Sequence, residues 1–175
     1  MNGAGNDFII INNMVEHLPE TCFPTLARTL CERHLSIGAD GLMIVDAPLQ
    51  GGDYRMLFFN SDGSLGEMCG NGARCIARFA ILKGYARGPL VRLRVKKGVI
   101  SVVAESDSER MTVDMGAAKL DYADIPFDPE GLVRRRVGGM MQYGIWRSDV
   151  GEYLWLCVVN LGNPHAVIFV DGSVD

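Results

Sequence analysis

The residues best suited to chemistry lie between positions 60 and 75, where a cysteine is framed by glycines and polar side chains. Residues 60–64 read NSDGS, and residues 67–75 read EMCGNGARC. A thiolate can accept a proton and a thiol can return one, so Cys69 is a candidate acid or base. A lone cysteine is more often a small buried apolar residue. The glycines beside Cys69 favour a functional site, because apolar packing alone needs no such backbone freedom.

The residues after Cys69 predict a buried helix with this cysteine near its N-terminus. Residues 73–82 are apolar on nearly every side, the exceptions being Arg74 and Arg78, and Gly84 is suited to end the helix. The first turn of a helix presents free backbone N–H groups and the positive end of the dipole. A substrate carboxylate can therefore dock beside the thiol.

Two further polar turns are candidates, and for each the residues alone leave two interpretations open. The glycine-rich turn 2–7 contains Asn6 and Asp7, which can hold an ammonium or carboxylate group or can serve only the turn itself. The turn 162–165 reads GNPH, and its proline favours a loop. His165 can tune a cysteine there, or it can make a single backbone hydrogen bond.

The elements that must position these turns predict an α+β fold. Mostly antiparallel strands are expected to curve round the central helix, and a shorter helix is expected at 26–34. Turns are expected at 50–53, 97–98 and 106–109, and strands at 8–12, 42–45, 54–59, 91–95, 99–104, 111–115, 133–137, 140–147, 153–159 and 166–170. Residues 116–129 contain prolines and acidic residues but show neither helical nor strand periodicity, which predicts a linker. The prediction is two similar units, 1–115 and 116–175, the second incomplete.

Composition and charge exclude several classes of protein. The chain has 175 residues, a net charge of −4 and a pI near 5.4, which argues against a nucleic-acid partner. No apolar run is long enough to predict a membrane span, and the five scattered cysteines favour a reducing cytoplasm. Cys69 and Cys75 are separated by about 9 Å along a helix, too far for a disulfide, and no zinc-binding spacing is present.

Four motifs occur in the order found in one enzyme family, and they are spread across the whole chain, from residue 2 to residue 167. They are NGAGNDF at 2–8, IGADG at 37–41, MCGNGARC at 68–75 and LGNPHAV at 161–167. This set resembles diaminopimelate epimerase. The resemblance implies interconversion of the LL and meso forms of a small amino-acid substrate without a cofactor, by proton transfer between two cysteines on opposite faces of the α-carbon.

The resemblance also implies roles for individual residues. Cys69 is one catalytic cysteine, and His165 lies near the cysteines and biases their protonation. The remaining implied contacts are with substrate: side-chain hydrogen bonds from Asn6, Asn60 and Asn163, and α-carboxylate binding by the backbone N–H groups of Gly70 and Asn71.

The family's chain is longer, and its second catalytic cysteine lies in the part that would follow residue 175. We therefore expect these 175 residues to be an N-terminal portion that does not epimerise substrate alone. Two alternatives stay open: a related cofactor-free racemase with another amino-acid substrate, and a non-catalytic module that only binds a carboxylate. The sequence also leaves a homodimer open.

Overall fold

The computed structural model describes residues 1–48, 51–105 and 110–170. The chain forms two compact units, Met1–Met115 and Gly116–Asp175. The predicted turn at 106–109, and Gln50 of the predicted turn at 50–53, lie outside the described residues. The identification of the two units as epimerase units stays a prediction.

The first unit is a seven-stranded sheet in which each strand lies beside its neighbour in the chain. Its elements are β1 (Asn2–Gly3), β2 (Asn6–Asn12), α1 (Asn13–Glu16), a 3-10 turn (Glu20–Cys22), α2 (Phe23–Cys31), β3 (Gly41–Asp46), β4 (Tyr54–Asn60), α3 (Gly70–Leu82), β5 (Leu90–Val95), β6 (Gly98–Ala104) and β7 (Met111–Val113). The pairs β2–β3 and β4–β5 are parallel, and the other four pairs are antiparallel. The prediction of mostly antiparallel strands is confirmed.

Helix α3 is the centre of this unit. It contacts all seven strands, which requires the sheet to curl around it. Ala73, Ile76, Ala77 and Ala80 of the helix have no exposed surface. The small alanines let the strands approach closely, and the predicted buried helix is confirmed, although it begins at Gly70 rather than at residue 73.

A second layer covers the opposite face of the sheet. Leu42 and Ile44 of β3 pack with α2, whereas Met43 and Val45 pack with α3, and none of the four is exposed. A strand buried on both faces has to be apolar throughout, which explains the continuous run.

The predicted helix at 26–34 was wrong at both ends. Its buried residues are Phe23, Ala27 and Cys31, which are spaced four apart, and Pro24 lies in the first turn, where its missing N–H is not needed. His34 lies beyond the helix with φ of 71°, so it is not a helix-terminal residue.

The second unit contains an antiparallel sheet of four strands in the order β11-β10-β9-β8. These strands are β8 (Val133–Val137), β9 (Met140–Arg147), β10 (Glu152–Asn160) and β11 (Pro164–Ile168). Tyr143, Leu156 and Val158 form its small core together with Ile125, which precedes the sheet.

Residues 116–129 are more than the linker that the sequence predicted. They contain a 3-10 turn, Tyr122–Asp124, and they contribute Ile125 to the core of the second unit. Lys119 forms an antiparallel bridge with Asn160. The burial of Ile125 and Phe127 against the sheet gives this stretch a fixed place in the unit.

Within the described residues, no helix is both long enough and apolar enough to cross a membrane.

Candidate active site

Cys69 occupies the N-cap position of α3. Its backbone is extended, with φ of −136° and ψ of 102°, and the next residue begins the helix. The Sγ atom accepts a hydrogen bond from the Gly72 N–H group at 3.4 Å. The side chain is half-buried. This hydrogen bond fixes the sulfur at the start of the helix, where the positive end of the helix dipole lies.

The start of α3 leaves backbone donors beside this sulfur. The Ala73 N–H group is used by the Cys69 carbonyl at 2.8 Å, and the Gly72 N–H group by Cys69 Sγ. The N–H groups of Gly70 and Asn71 have no acceptor among the described residues. Two free donors at the positive end of a helix suit a carboxylate.

Gly72 and Gly3 are closely packed at this point. A Cβ atom at Gly72 would lie 1.8 Å from the Met43 Cε atom. A Cβ atom at Gly3 would lie 2.9 Å from Cys75 Sγ and 3.0 Å from the Asn71 carbonyl oxygen. The glycine at position 3 therefore lets the N-terminal turn rest directly on the helix start.

That contact brings Asn6 to Asn71. The Asn71 Nδ2 atom donates to Asn6 Oδ1 at 2.8 Å, and Asn71 Oδ1 accepts from the Arg74 guanidinium. Asn6 Nδ2 donates to Asp40 Oδ2 at 2.9 Å. Two of the predicted substrate-binding residues thus lie side by side at the start of the helix, linked into one polar chain.

Arg33 and Asp40 were not among the residues that the sequence predicted. Arg33 binds both oxygens of Asp7, at 3.0 and 2.7 Å, and its Nη2 atom also lies 2.8 Å from Asp40 Oδ1. The Asp40 N–H donates to Asp7 Oδ1 at 2.9 Å, and the Asp7 N–H donates to Asp40 Oδ2 at 3.1 Å. The available signal was that Asp7 and Asp40 each belong to a glycine-containing motif. Their pairing, 33 residues apart, carried no local pattern.

Both carboxylates are held in the ionised form. The hydrogen bond from Arg33, with the Asp40 N–H, lowers the pKa of Asp7 from its ordinary 3.8 to about 2. The pKa of Asp40 is also lowered, first by the hydrogen bond from Asn6 and then by the Asp7 N–H and Arg33. At neutral pH each is therefore only an acceptor of hydrogen bonds.

Asn60 lies at the same end of the sheet as Asn6 but within its own turn. Its Nδ2 atom donates to Ser64 Oγ at 2.9 Å, and its backbone N–H donates to the Ser64 carbonyl at 2.9 Å. The register places Asn60 opposite Gly41, which in turn lies opposite Phe8. Asn60 is thus two strands away from the strand that begins with Asn6, or about 10 Å.

Asn163 and His165 belong to the second unit and form a pair. The His165 Nε2 atom and the Asn163 Oδ1 atom are 3.2 Å apart, and both side chains are exposed. The predicted loop at 162–165 was wrong in part, because Pro164 and His165 lie in β11 opposite Asn160 and Val159. Pro164 is tolerated because it is the first residue of an edge strand.

The other four cysteines differ from Cys69. Burial raises the pKa of the Cys31 and Cys75 thiols, and Cys157 is buried in β10. Cys22 is half-buried and precedes α2 as Cys69 precedes α3, but its side chain makes no capping hydrogen bond. Among the described residues, Cys69 is therefore the accessible thiol with a backbone donor.

No group of three His, Cys, Asp or Glu residues within the described part of the chain is placed to hold a metal ion.

The fold is shared with solved epimerase-like structures of low sequence identity. A hydroxyproline epimerase from Agrobacterium vitis, with bound trans-4-hydroxy-L-proline, matches with a TM-score of 0.64 and 12% identity, over 95% of this chain and 49% of that one. A phenazine biosynthesis protein of the PhzF family from Bacillus anthracis matches with a TM-score of 0.63 and 14% identity, over 96% of this chain and 51% of that one. The chain therefore shares its fold with this hydroxyproline epimerase and this PhzF-family protein.

Residues 1–120 match the family model of diaminopimelate epimerase, and the chain belongs to this family. It is 42% identical over 172 residues to a diaminopimelate epimerase from Cupriavidus necator, covering 98% of this chain and 58% of the relative. It is 42% identical over 175 residues to one from Burkholderia thailandensis, covering 99% of this chain and 59% of the relative. The chain thus spans less than two thirds of the length of these relatives.

Proposed function

We propose that this chain forms part of a cofactor-independent epimerase that interconverts LL- and meso-diaminopimelate. The observation that carries the proposal is Cys69 at the N-cap of α3, with its sulfur 3.4 Å from the Gly72 nitrogen and the Asn6–Asn71 pair at the same helix start. The family match and the curated relatives support the choice of substrate.

In the proposed reaction the Cys69 thiolate removes the α-proton of the substrate. The substrate α-carboxylate binds the free N–H groups of Gly70 and Asn71 at the start of the helix. As the proton leaves, negative charge spreads onto this carboxylate, and the two donors then hold it more strongly than they hold the ground state. Because the donors are already oriented by the helix, they stabilise this charge without reorganising.

Inversion needs a second group that returns a proton to the opposite face. Returning the proton from Cys69 itself would exchange hydrogen with solvent but would retain configuration. We assign the second proton transfer to another cysteine of the whole protein. Asn163 and His165 are proposed to bind substrate and to bias cysteine protonation, respectively. The 175-residue chain alone is therefore expected to bind substrate weakly without inverting it.

The side-chain amides suit an amino-acid substrate. Asn6, Asn60 and Asn71 can each donate and accept hydrogen bonds, so they can orient a carboxylate or an ammonium group without adding a charge. A buried fixed charge would itself need compensation. Neutral amides can thus contact the substrate without adding a charge of their own.

We also propose a cytoplasmic location. All five cysteines are free in the structure, and the proposed chemistry needs a reduced thiol. A protein recovered with Cys69 in a disulfide from gently lysed cells under thiol-trapping conditions would contradict this location.

The proposed function is tested by chiral analysis of product. The protein expressed from its complete reading frame is incubated with LL-diaminopimelate, with no pyridoxal phosphate and with aminooxyacetate present to trap any that remains. We expect the meso isomer to form at the same rate with and without aminooxyacetate. Racemisation of proline or glutamate in preference to diaminopimelate would favour the related racemase, and binding without turnover would favour the carboxylate-binding module.

A further inference from the structure

We propose that Asp40 and Arg74 are positioning residues that fix which way the side-chain amides of Asn6 and Asn71 face. The inference rests on the proposed function only in that these amides are taken to meet the substrate. The four side chains form one unbroken chain of hydrogen bonds. Arg74 donates to Asn71, Asn71 donates to Asn6 at 2.8 Å, and Asn6 donates to Asp40 at 2.9 Å.

The two ends of this chain have opposite chemistry. Asp40 ends the chain with a carboxylate that only accepts hydrogen bonds, and Arg74 ends it with a guanidinium that only donates them. A side-chain amide can rotate by half a turn and exchange its oxygen with its nitrogen. If Asn6 did so, its oxygen would face the Asp40 carboxylate, and its nitrogen would face the Asn71 nitrogen. One orientation of each amide therefore satisfies all three hydrogen bonds.

The fixed orientation determines what the site presents to a ligand. After the hydrogen bonds within the chain, each amide retains one N–H group and one oxygen lone pair. Both side chains are only partly buried, so these groups are within reach of a bound molecule. An α-amino acid carries a carboxylate that needs donors and an ammonium that needs acceptors, which is the combination that two oriented amides offer.

Asp40 is itself held in place by Arg33 and by the backbone N–H group of Asp7. Its Oδ1 atom accepts from Arg33 at 2.8 Å, and its Oδ2 atom accepts both from Asn6 and from the Asp7 backbone N–H at 3.1 Å. Arg33 also binds Asp7 through two hydrogen bonds. The Asp40 carboxylate therefore cannot turn away from Asn6 without breaking its hydrogen bonds with Arg33 and the Asp7 N–H group.

The test uses variants that change hydrogen-bonding direction with little change in shape. Asp40→Asn gives the chain an end that can donate, and Arg74→Gln gives it an end that can accept, so each permits its neighbouring amide to flip. Arg74→Lys keeps a donor-only end and should rescue the Arg74→Gln defect. Glu20→Gln is the matched control, because Glu20 is a carboxylate bound through both oxygens by Arg55 and has no link to Asn6.

The first measurement is direct and independent of activity. In spectra of the ¹⁵N-labelled 175-residue chain, the hydrogen-bonded side-chain N–H proton of Asn6 and that of Asn71 should each give one signal that is protected from solvent exchange in the wild type, Arg74→Lys and Glu20→Gln. Asp40→Asn and Arg74→Gln should give doubled or unprotected signals. Unchanged signals in both variants, with the fold retained, would overturn the inference.

The second measurement is made on the active protein from the complete reading frame. We expect Asp40→Asn and Arg74→Gln each to raise KM for diaminopimelate about tenfold, the equivalent of one hydrogen bond, with kcat little changed. Because the unchanged end still holds its own amide in each single variant, the double variant should raise KM by more than the product of the two single increases. Additive losses, or an equal KM increase in Glu20→Gln, would indicate a merely structural role and contradict the inference. A wild type that neither binds nor turns over diaminopimelate contradicts the proposed function alone, and the amide signals still decide the inference.

Discussion

The Asn71 side chain donates to Asn6 Oδ1 at 2.8 Å, although the two residues are 65 positions apart in the chain. This hydrogen bond joins the N-terminal turn to the first turn of the central helix. Gly3 permits it, because a larger residue would meet the Asn71 carbonyl oxygen. The candidate site is thus assembled from two glycine-containing turns that depend on each other.

Replacing Gly3 should loosen this assembly. In Gly3→Ala, the added Cβ atom would lie 3.0 Å from the Asn71 carbonyl oxygen and 2.9 Å from Cys75 Sγ, so the turn must move away from the helix. We expect a loss of about 1–3 kcal/mol in the free energy of unfolding, measured by urea denaturation. Gly88→Ala is the control, because no atom other than those of its two chain neighbours lies within 4 Å of the added Cβ, and it should change stability by less than about 0.5 kcal/mol. Equal stability of the two variants would show that the turn is not packed tightly on the helix.

Cys69 should be the first thiol to be alkylated near neutral pH. The Gly72 N–H group donates a hydrogen bond to its sulfur at the helix N-terminus, whereas Cys22, the other half-buried thiol, has no capping hydrogen bond. Limited iodoacetamide treatment followed by peptide mapping measures the order of labelling. Labelling of Cys22 before Cys69 would mean that the helix start does not activate the thiol.

The Arg33–Asp7 pair should stabilise the fold at neutral pH and lose this effect in acid. The pKa of Asp7 is lowered from 3.8 to about 2, so its contribution is full above pH 3.8 and is lost as the pH falls through about 2. Arg33→Gln should therefore be less stable than the wild type at pH 6, and the difference should shrink between about pH 4 and pH 2. Both side chains are exposed, so the effect is small.

Thermal unfolding across this pH range measures the difference. Arg87→Gln removes an exposed charge that has no partner among the described residues, and it should show no such pH dependence. A stability difference for Arg33→Gln that stays constant from pH 6 to pH 2 would contradict the assignment to Asp7.

The central helix and the thiol at its start could be predicted from the sequence because their signals are local. Residues 73–82 are apolar on nearly every side, and helix α3 is buried at the centre of its sheet. Its start at Gly70 was not predicted, because residues 70–72 read GNG and glycine and asparagine are poor helix formers in isolation. Capping by Cys69 and packing of Gly72 on Met43 override that preference.

The charged cluster of Asp7, Arg33 and Asp40 could not be predicted, because it depends on contacts between distant residues. Arg33 lies 26 positions from Asp7, and its role follows only once β2 and β3 are paired in parallel. Pro164 was misplaced for a related reason. A proline excludes a central strand, but β11 is an edge strand, and only the pairing order of the sheet distinguishes the two cases.

Solvent deuterium incorporation at the α-carbon tests the central claim, that Cys69 transfers the α-proton of diaminopimelate without a cofactor. The protein from the complete reading frame, its Cys69→Ala variant and a Cys22→Ala control are incubated with LL-diaminopimelate in D₂O. We predict deuterium in the meso product with the wild type and Cys22→Ala, and neither deuterium nor meso product with Cys69→Ala that is folded by circular dichroism. Exchange by Cys69→Ala at the wild-type rate would contradict the account.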